Sequence, residues 1–308
     1  MTAPQGSAGR IVVLGFPRSG TTLLTRLLDG HPEISAPPET GQFSAAGRFL
    51  AELNAVEGPA YGVLTGLAFA GVPPEDVFAA LRNMIFGFHE RIAAGRKVWV
   101  EKTGTDVFHL ETLEPMLVGH VRFISILRHP LDVVASNVDL ARRMGARLPE
   151  VFALTRGINA EYDGFAQAWV NRQTVLDDFA ARHADDCLSL RYEDLVGDPQ
   201  RVLADILGFA GLAGKPDAMI AAAFSDQARI GLGDFRIDET GGLRPPVADG
   251  WRKRIPREAL ARIVPVLAPL MERHGYKVPK VPAAQDRAGT IRQFELATRM
   301  KRQTRPDG

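Results

Sequence analysis

The sequence predicts an α/β fold, a parallel sheet with helices on both faces, and three observations carry that prediction. Four short apolar runs, 11–14, 97–101, 121–127 and 187–191, alternate with segments of helical periodicity. The first run leads through a glycine-containing turn straight into a helix. Each run ends against a polar cluster: the turn at Gly15, then Lys102, Arg128 and the pair Arg191-Tyr192. Ligands of parallel sheets bind beyond the carboxyl ends of the strands, so these four clusters are expected to meet on one edge.

Taken in order, Ile11-Val12-Val13-Leu14 is continuously apolar, as a strand buried on both faces must be. Gly15-Phe16-Pro17-Arg18-Ser19-Gly20-Thr21-Thr22 forms the turn, and Leu23, Leu24, Leu27 and Leu28 give the next helix one apolar face. Asp29-Gly30 closes that helix, with Pro32 just beyond. Residues 42–96 are rich in Ala, Gly, Leu and Phe around a Pro73-Pro74 break. They are expected to form two or three helices inserted between strands, a cap over the side where a second substrate would enter. The second strand, Lys97-Val98-Trp99-Val100-Glu101, ends at Lys102, and the third, 121–127, runs into Arg128-His129-Pro130. Pro130 suits the first turn of a helix, where a missing N–H has no partner to lose. Leu131, Val134, Ala135 and Val138 form the inner face of that helix.

A long helix is expected over about 159–183, with Phe165, Trp169, Leu176 and Phe179 at helical intervals. The fourth strand, 187–191, leads into Tyr192-Glu193-Asp194-Leu195. Asp198-Pro199 then opens a helix with Val202, Leu203, Ile206 and Leu207 inward and Gly211 as its stop. Residues 231–250 read as a long Gly- and Pro-rich loop. A last helix over about 256–274 is expected to be interrupted at Pro265 and Pro269. From Val281 onward there are six Lys or Arg against three acidic residues, a basic tail or terminal helix. The expected division is one domain over 1–280 followed by the tail 281–308.

Composition narrows the roles. The 308 residues are 45% hydrophobic and 24% charged, ordinary values for a globular chain. A net charge of +1 gives no support to nucleic-acid binding. One cysteine, Cys187, allows no internal disulfide. The first ten residues lack the charged start and apolar run of a signal peptide, and the apolar runs break well short of a membrane span. The expectation is a cytoplasmic protein with neither membrane nor nucleic acid as partner. Scattered histidines and the absence of His-x-x-x-His or clustered carboxylates lead to no expected metal site.

The turn after the first strand carries the most specific chemistry. Its spacing is that of a Walker A loop, which makes the predicted sheet a P-loop-type one, yet the lysine position holds Thr21 and Arg18 lies inside the loop. Glycines let successive N–H groups point at one anion, and the helix adds its positive end. A Walker lysine reaches the β- and γ-phosphates of a triphosphate; a loop without it suits a nucleotide whose transferred group is not a γ-phosphate. Arg128 at a strand end and Ser136, roughly two helical turns on, form a second candidate anion site. The competing reading of Arg128 is a surface ion pair with Asp132, worth about half a kcal/mol.

Pro17-Arg18-Ser19-Gly20-Thr21-Thr22 resembles the 5′-phosphosulfate loop of the sulfotransferase superfamily, enzymes that use 3′-phosphoadenosine 5′-phosphosulfate (PAPS). Arg128-x-Pro130-x-Asp132-x-x-x-Ser136 resembles that superfamily's 3′-phosphate motif, and Arg191-Tyr192-Glu193-Asp194-Leu195 followed by Asp198-Pro199 a segment near the adenosine. The stretch from Phe16 to Thr40, with Leu28-Asp29-x-His31-Pro32 and Glu39-Thr40, is most similar to the tyrosylprotein sulfotransferases. The resemblance implies PAPS as co-substrate, bound through Pro17, Arg18, Ser19, Gly20, Thr21, Thr22, Arg128 and Ser136. It places Tyr192 near the adenosine and Arg252 and Lys253 in a late loop over the 3′-phosphate. Tyr192 and Trp251 read either as rings that stack near the adenine or close over the nucleotide, or equally as core residues. The implied acceptor is a hydroxyl, or an amine, of a small molecule, carbohydrate or peptide.

Such a transfer must deprotonate the acceptor, hold the sulfuryl group in line and neutralise the departing bridging oxygen. Arg18 and Lys102 are placed for the last two, by fixed positive charge. The other reading of Lys102 is an exposed strand-end lysine paired with Glu101. Cytosolic sulfotransferases carry their base as the histidine of Lys-Thr-His; here the residues are Lys102-Thr103-Gly104. In tyrosylprotein- and heparan-type enzymes a glutamate some twenty residues past the loop takes the proton, and Glu39 occupies the matching place. Thr40 is followed by Gly41, where the tyrosylprotein pattern has arginine. Glu33 is a weaker rival for the base, and a solvated loop acid is the other reading of Glu39. His109 and His129 read as structural or surface histidines. The acceptor pocket is expected from 42–96 and from a loop over 144–158. Two rival functions stand beside this one: a P-loop kinase of a small metabolite, which needs a lysine at 21, and a non-catalytic nucleotide-binding member of the fold.

Overall fold

The structure is a computed structural model that describes residues 9–54, 60–145, 148–225, 243 and 250–281. In chain order its elements begin β1 (Arg10–Leu14), α1 (Thr21–Asp29), β2 (Ile34–Ser35), α2 (Gln42–Leu50), β3 (Leu53–Asn54), β4 (Ala60–Tyr61), α3 (Val63–Phe69) and α4 (Pro74–Ala93). They continue β5 (Val98–Glu101), a 3-10 turn (Asp106–His109), α5 (Leu110–Leu117), β6 (Arg122–Leu127), α6 (Pro130–Met144), α7 (Pro149–Leu154) and α8 (Glu161–Arg182). The last are β7 (Cys187–Arg191), α9 (Tyr192–Gly197), α10 (Pro199–Ala210), α11 (Pro216–Ala223), a 3-10 turn (Gly250–Lys253) and α12 (Arg257–Arg273).

Five strands form one parallel sheet in the order β2-β5-β1-β6-β7. The four strands read from apolar runs are all present. β2 is a fifth: two residues with one large apolar side chain are too short to show a pattern, yet they pair with β5 through Ile34↔Val98. β1 lies in the middle, and its alternate residues bury on opposite faces. Ile11 and Val13 join Leu24, Leu27 and Leu28 of α1, Ile206 of α10 and Met219 of α11. Val12 and Leu14 join Phe43 of α2, Ile85 of α4, Leu113 of α5 and Phe179 of α8. A third cluster packs α6, α8 and α12 together around Trp169. Truncating a wholly buried leucine such as Leu24 costs about 2–5 kcal/mol, so either face decides whether the sheet stands.

The 42–96 insertion contains three helices, α2, α3 and α4, plus the antiparallel β3–β4 pair. The loop expected over 144–158 instead includes α7, opened by Pro149 at its first position. The expected interruption of the last helix is also corrected. α12 is continuous, with Pro265 and Pro269 inside it. Both prolines lie on the exposed side of the helix, and each removes the donor to the carbonyl four residues back, Ala261 and Pro265. The opposite stripe buries Ile263, Val264, Leu267, Leu270 and Met271 against α6 and α8. At about 1.5–3 kcal/mol each, these side chains outweigh about 3 kcal/mol per proline. The loop expected over 231–250 falls largely, and the tail from 281 almost wholly, outside the described residues. Among the described residues no helix is long and apolar enough to cross a membrane.

Candidate active site

The four strand-end clusters do lie at the carboxyl ends of β1, β5, β6 and β7. The loop after β1 is built on strain. Arg18 has φ 74° and Gly20 φ 99°, both left-handed, and a non-glycine residue pays about 1–2 kcal/mol there. Helix α6 and Arg128 hold the loop in that shape. Arg18 Nε donates to Ser136 Oγ at 3.1 Å, Asn137 Nδ2 to the Pro17 carbonyl at 2.9 Å, and Arg128 Nη1 to the Arg18 carbonyl at 3.2 Å. Ser19 N–H closes the turn onto the Phe16 carbonyl at 3.0 Å, and Thr21 opens α1, whose N-cap is Gly20. The positive end of α1 therefore faces out of the loop.

Asn137 was missed from the sequence. Its signal was an amide standing between Ser136 and Val138 on an otherwise apolar helix face, where it also donates to the Val133 carbonyl at 2.9 Å. Tyr192, first residue of α9, lies at the margin of the core: it is partly buried against the cluster of Ile11 and Leu24, and the Arg128 guanidinium lies 4.3 Å from its ring centroid. Asp132 is occupied by Arg254 Nη2 at 2.9 Å, so the Arg128–Asp132 pair is not what holds Arg128. Arg191, by contrast, turns away from the edge, donating to the His274 carbonyl and lying over the Tyr276 ring.

Lys102 follows β5 and is buried, with its side chain only 3% exposed. Its Nζ donates to Glu39 Oε1 at 2.6 Å and to Thr22 Oγ1 at 3.2 Å. An exposed lysine paired with Glu101 is therefore excluded. Glu39 keeps a third of its side chain, 33%, open to solvent. Glu33 is corrected as a rival: it pairs with Lys97, at the amino-terminal end of β5, away from the loop. His109 lies against Glu150 and is pushed below its ordinary value by burial, while His129 packs between Trp251 and Tyr276.

Trp251 is core, 2% exposed, and stacks on His129 immediately after Arg128. Arg252 and Lys253 are exposed, with the Arg252 guanidinium 4.4 Å from the Trp251 ring centroid. This 3-10 turn thus stands beside the carboxyl end of β6, where Trp251 stacks on His129. Behind Lys102 a carboxylate that sequence reasoning passed over, Glu101, is wholly buried. Burial pushes its pKa up, against hydrogen bonds from Thr103 and Thr40 and the charge of Lys102. Asp106 beside it is pushed well above its ordinary value, first by burial and then by the charge of Glu101.

Residues 10–217 match the model of the sulfotransferase family. Nodulation protein NoeE of Sinorhizobium fredii is 31% identical over 138 residues, 40% of this chain but only 30% of that protein. Protein-tyrosine sulfotransferase 1 of Danio rerio is 23% identical over 283 residues, 86% of this chain and 72% of that one. The sulfotransferase domain from the curacin biosynthetic pathway superposes with a TM-score of 0.62 at 22% identity, over 88% of this chain and 99% of that one. The sulfotransferase domain of the Synechococcus PCC 7002 olefin synthase gives 0.62 at 23% identity, over 90% and 99%. Both share this fold. With a parallel sheet, the strained turn after β1 and a family match covering most of its length, the chain belongs to the sulfotransferase family.

Proposed function

We propose that this protein transfers the sulfuryl group of PAPS to an acceptor hydroxyl, with Glu39 as base. PAPS supplies a sulfuryl group on a phosphate leaving group, together with a separate 3′-phosphate. The donor set suits two anions. One is the strained loop with the α1 N-terminus, Arg18 and Thr22; the other is the strand-end guanidinium of Arg128 with Ser136, and with Arg252 and Lys253 nearby. Pro17, Ser19, Gly20 and Thr21 shape the first site, and Tyr192 backs Arg128 at the second.

The observation that carries the reading is Lys102 Nζ, within hydrogen-bonding distance of both Glu39 and Thr22. One buried ammonium thus joins the base to the donor loop. Glu39 takes the acceptor proton from the solvent side, and Lys102 and Arg18 present fixed positive charge where negative charge grows during transfer. A Cβ built on Gly104 would stand 3.6 Å from Glu39 Oε1. A histidine at 104, as in the Lys-Thr-His pattern, would therefore reach into the space Glu39 fills, and a carboxylate from a different segment takes over its place. On the side proposed for the acceptor, Arg48 of α2 donates to Glu150 of α7 at 3.1 Å, which supports a pocket drawn from both segments.

The test is Glu39→Gln. Turnover, read as release of adenosine 3′,5′-bisphosphate from PAPS with a metabolite extract as acceptor source, should fall about 100- to 1,000-fold. Affinity for adenosine 3′,5′-bisphosphate should stay unchanged and exceed that for ATP. Unchanged turnover removes Glu39 as base, and a wild-type protein that binds but never turns over is a binding module.

A further inference from the structure

We propose that Glu101 is a positioning residue, the buried carboxylate that locks the segment carrying Glu39 to the segment carrying Lys102. Glu39 and Lys102 belong to separate stretches of chain, a loop after β2 and the end of β5, and no backbone ladder joins those stretches at the site. Glu101 joins them. Its Oε2 accepts from Thr40 Oγ1 at 2.9 Å and its Oε1 from Thr103 Oγ1 at 2.7 Å. Thr103 Oγ1 in turn accepts the Gly41 N–H at 2.9 Å. Both residues that follow Glu39 are thus tied to both residues that flank Lys102.

The position is a costly one for an acid. Glu101 has no exposure, the ring of His89 from α4 stands 3.4 Å away, and a second buried carboxylate, Asp106, is its neighbour. An apolar side chain of equal size would fill the volume without that penalty. What it would not do is receive two hydroxyls from opposite sides and so fix two segments in register. The clamp geometry stands by itself; its catalytic meaning rests on Glu39 and Lys102 being the working pair.

Lys102 reports the clamp without need of an acceptor. In the full chain, the rate at which a lysine-selective acylating reagent labels Lys102 is followed by mass spectrometry, with alkylation of buried Cys187 confirming a closed core. Thr40→Val and Thr103→Val each remove one hydroxyl at nearly constant shape. Each should label Lys102 about tenfold faster than wild type, approaching the rate of Glu39→Gln. Thr40→Ser and Thr103→Ser, which keep the hydroxyl, should stay within about twofold of wild type. Turnover of the valine variants should fall while affinity for adenosine 3′,5′-bisphosphate holds. Wild-type labelling in both valine variants beside faster labelling in Glu39→Gln overturns the clamp alone. Wild-type labelling in Glu39→Gln overturns the Glu39–Lys102 pairing itself, and the clamp's role with it.

Discussion

The ring of Tyr192 occupies the space a side chain on Gly20 would need: a Cβ there would stand 2.3 Å from Tyr192 Cδ2. The turn after β1 and α9 therefore touch where a methyl group is missing. The same ring carries the Arg128 guanidinium, which also holds the Arg18 carbonyl. The two candidate anion sites are in this way one piece of packing, set by one tyrosine.

Gly20→Ala should suffer twice, from the left-handed φ of 99° and from displacement of the ring. Titration calorimetry should show affinity for adenosine 3′,5′-bisphosphate reduced at least about tenfold, the equivalent of 1.4 kcal/mol. With Tyr192→Ala added, the combined loss should be smaller than the sum of the two single losses, because the ring clash disappears while the backbone strain and the lost support of Arg128 remain; strictly additive losses would refute the contact.

Arg128→Lys keeps the charge but gives up the planar group that lies over Tyr192 and reaches Arg18. Affinity for adenosine 3′,5′-bisphosphate should drop about tenfold, whereas affinity for adenosine 5′-phosphosulfate, which has no 3′-phosphate, should change much less. Equal losses for both ligands would mean that Arg128 only supports the loop.

His89 lies buried between Phe43 and Trp99, and burial pulls its pKa down from 6.5 to about 4. Between those values the unfolded chain binds a proton there and the folded chain does not. Stability from this group is therefore full near pH 7 and is lost as pH falls from about 6.5 toward 4, by on the order of 3 kcal/mol. Urea midpoints for wild type and His89→Leu across that window should diverge in slope, wild type falling more steeply on acidification. Parallel curves would mean that neighbouring Glu101, 3.4 Å away, compensates the charge.

What was legible in the sequence followed from repetition along the chain. Four of the five strands of the sheet announced themselves by short apolar runs, α1 and α10 by spacing and stop signals, and the loop and Arg128–Ser136 segments by short patterns whose partners fall within a few residues. The pairing of Arg18 with Ser136 was not in either pattern, and arises because α6 returns alongside the loop. Glu101 was invisible for a related reason. A strand-end glutamate reads as solvated, and the hydroxyls that occupy it come from residues 40 and 103, one of them 61 positions away. Local chemistry misled at Pro265 and Pro269, where propensity yields to the buried stripe on the other side of the helix.

Tyr276, just past α12, donates its hydroxyl to Glu193 at 2.9 Å, and the other oxygen of Glu193 receives the His129 N–H at 2.9 Å. The backbone beside Arg128 is thus braced by a residue close to the end of the described chain. During synthesis the sheet and the glycine turn emerge well before that brace exists. Completion of the candidate nucleotide site therefore waits for α12 to dock, and a polypeptide ended before Tyr276 would carry a finished loop facing an unfinished arginine.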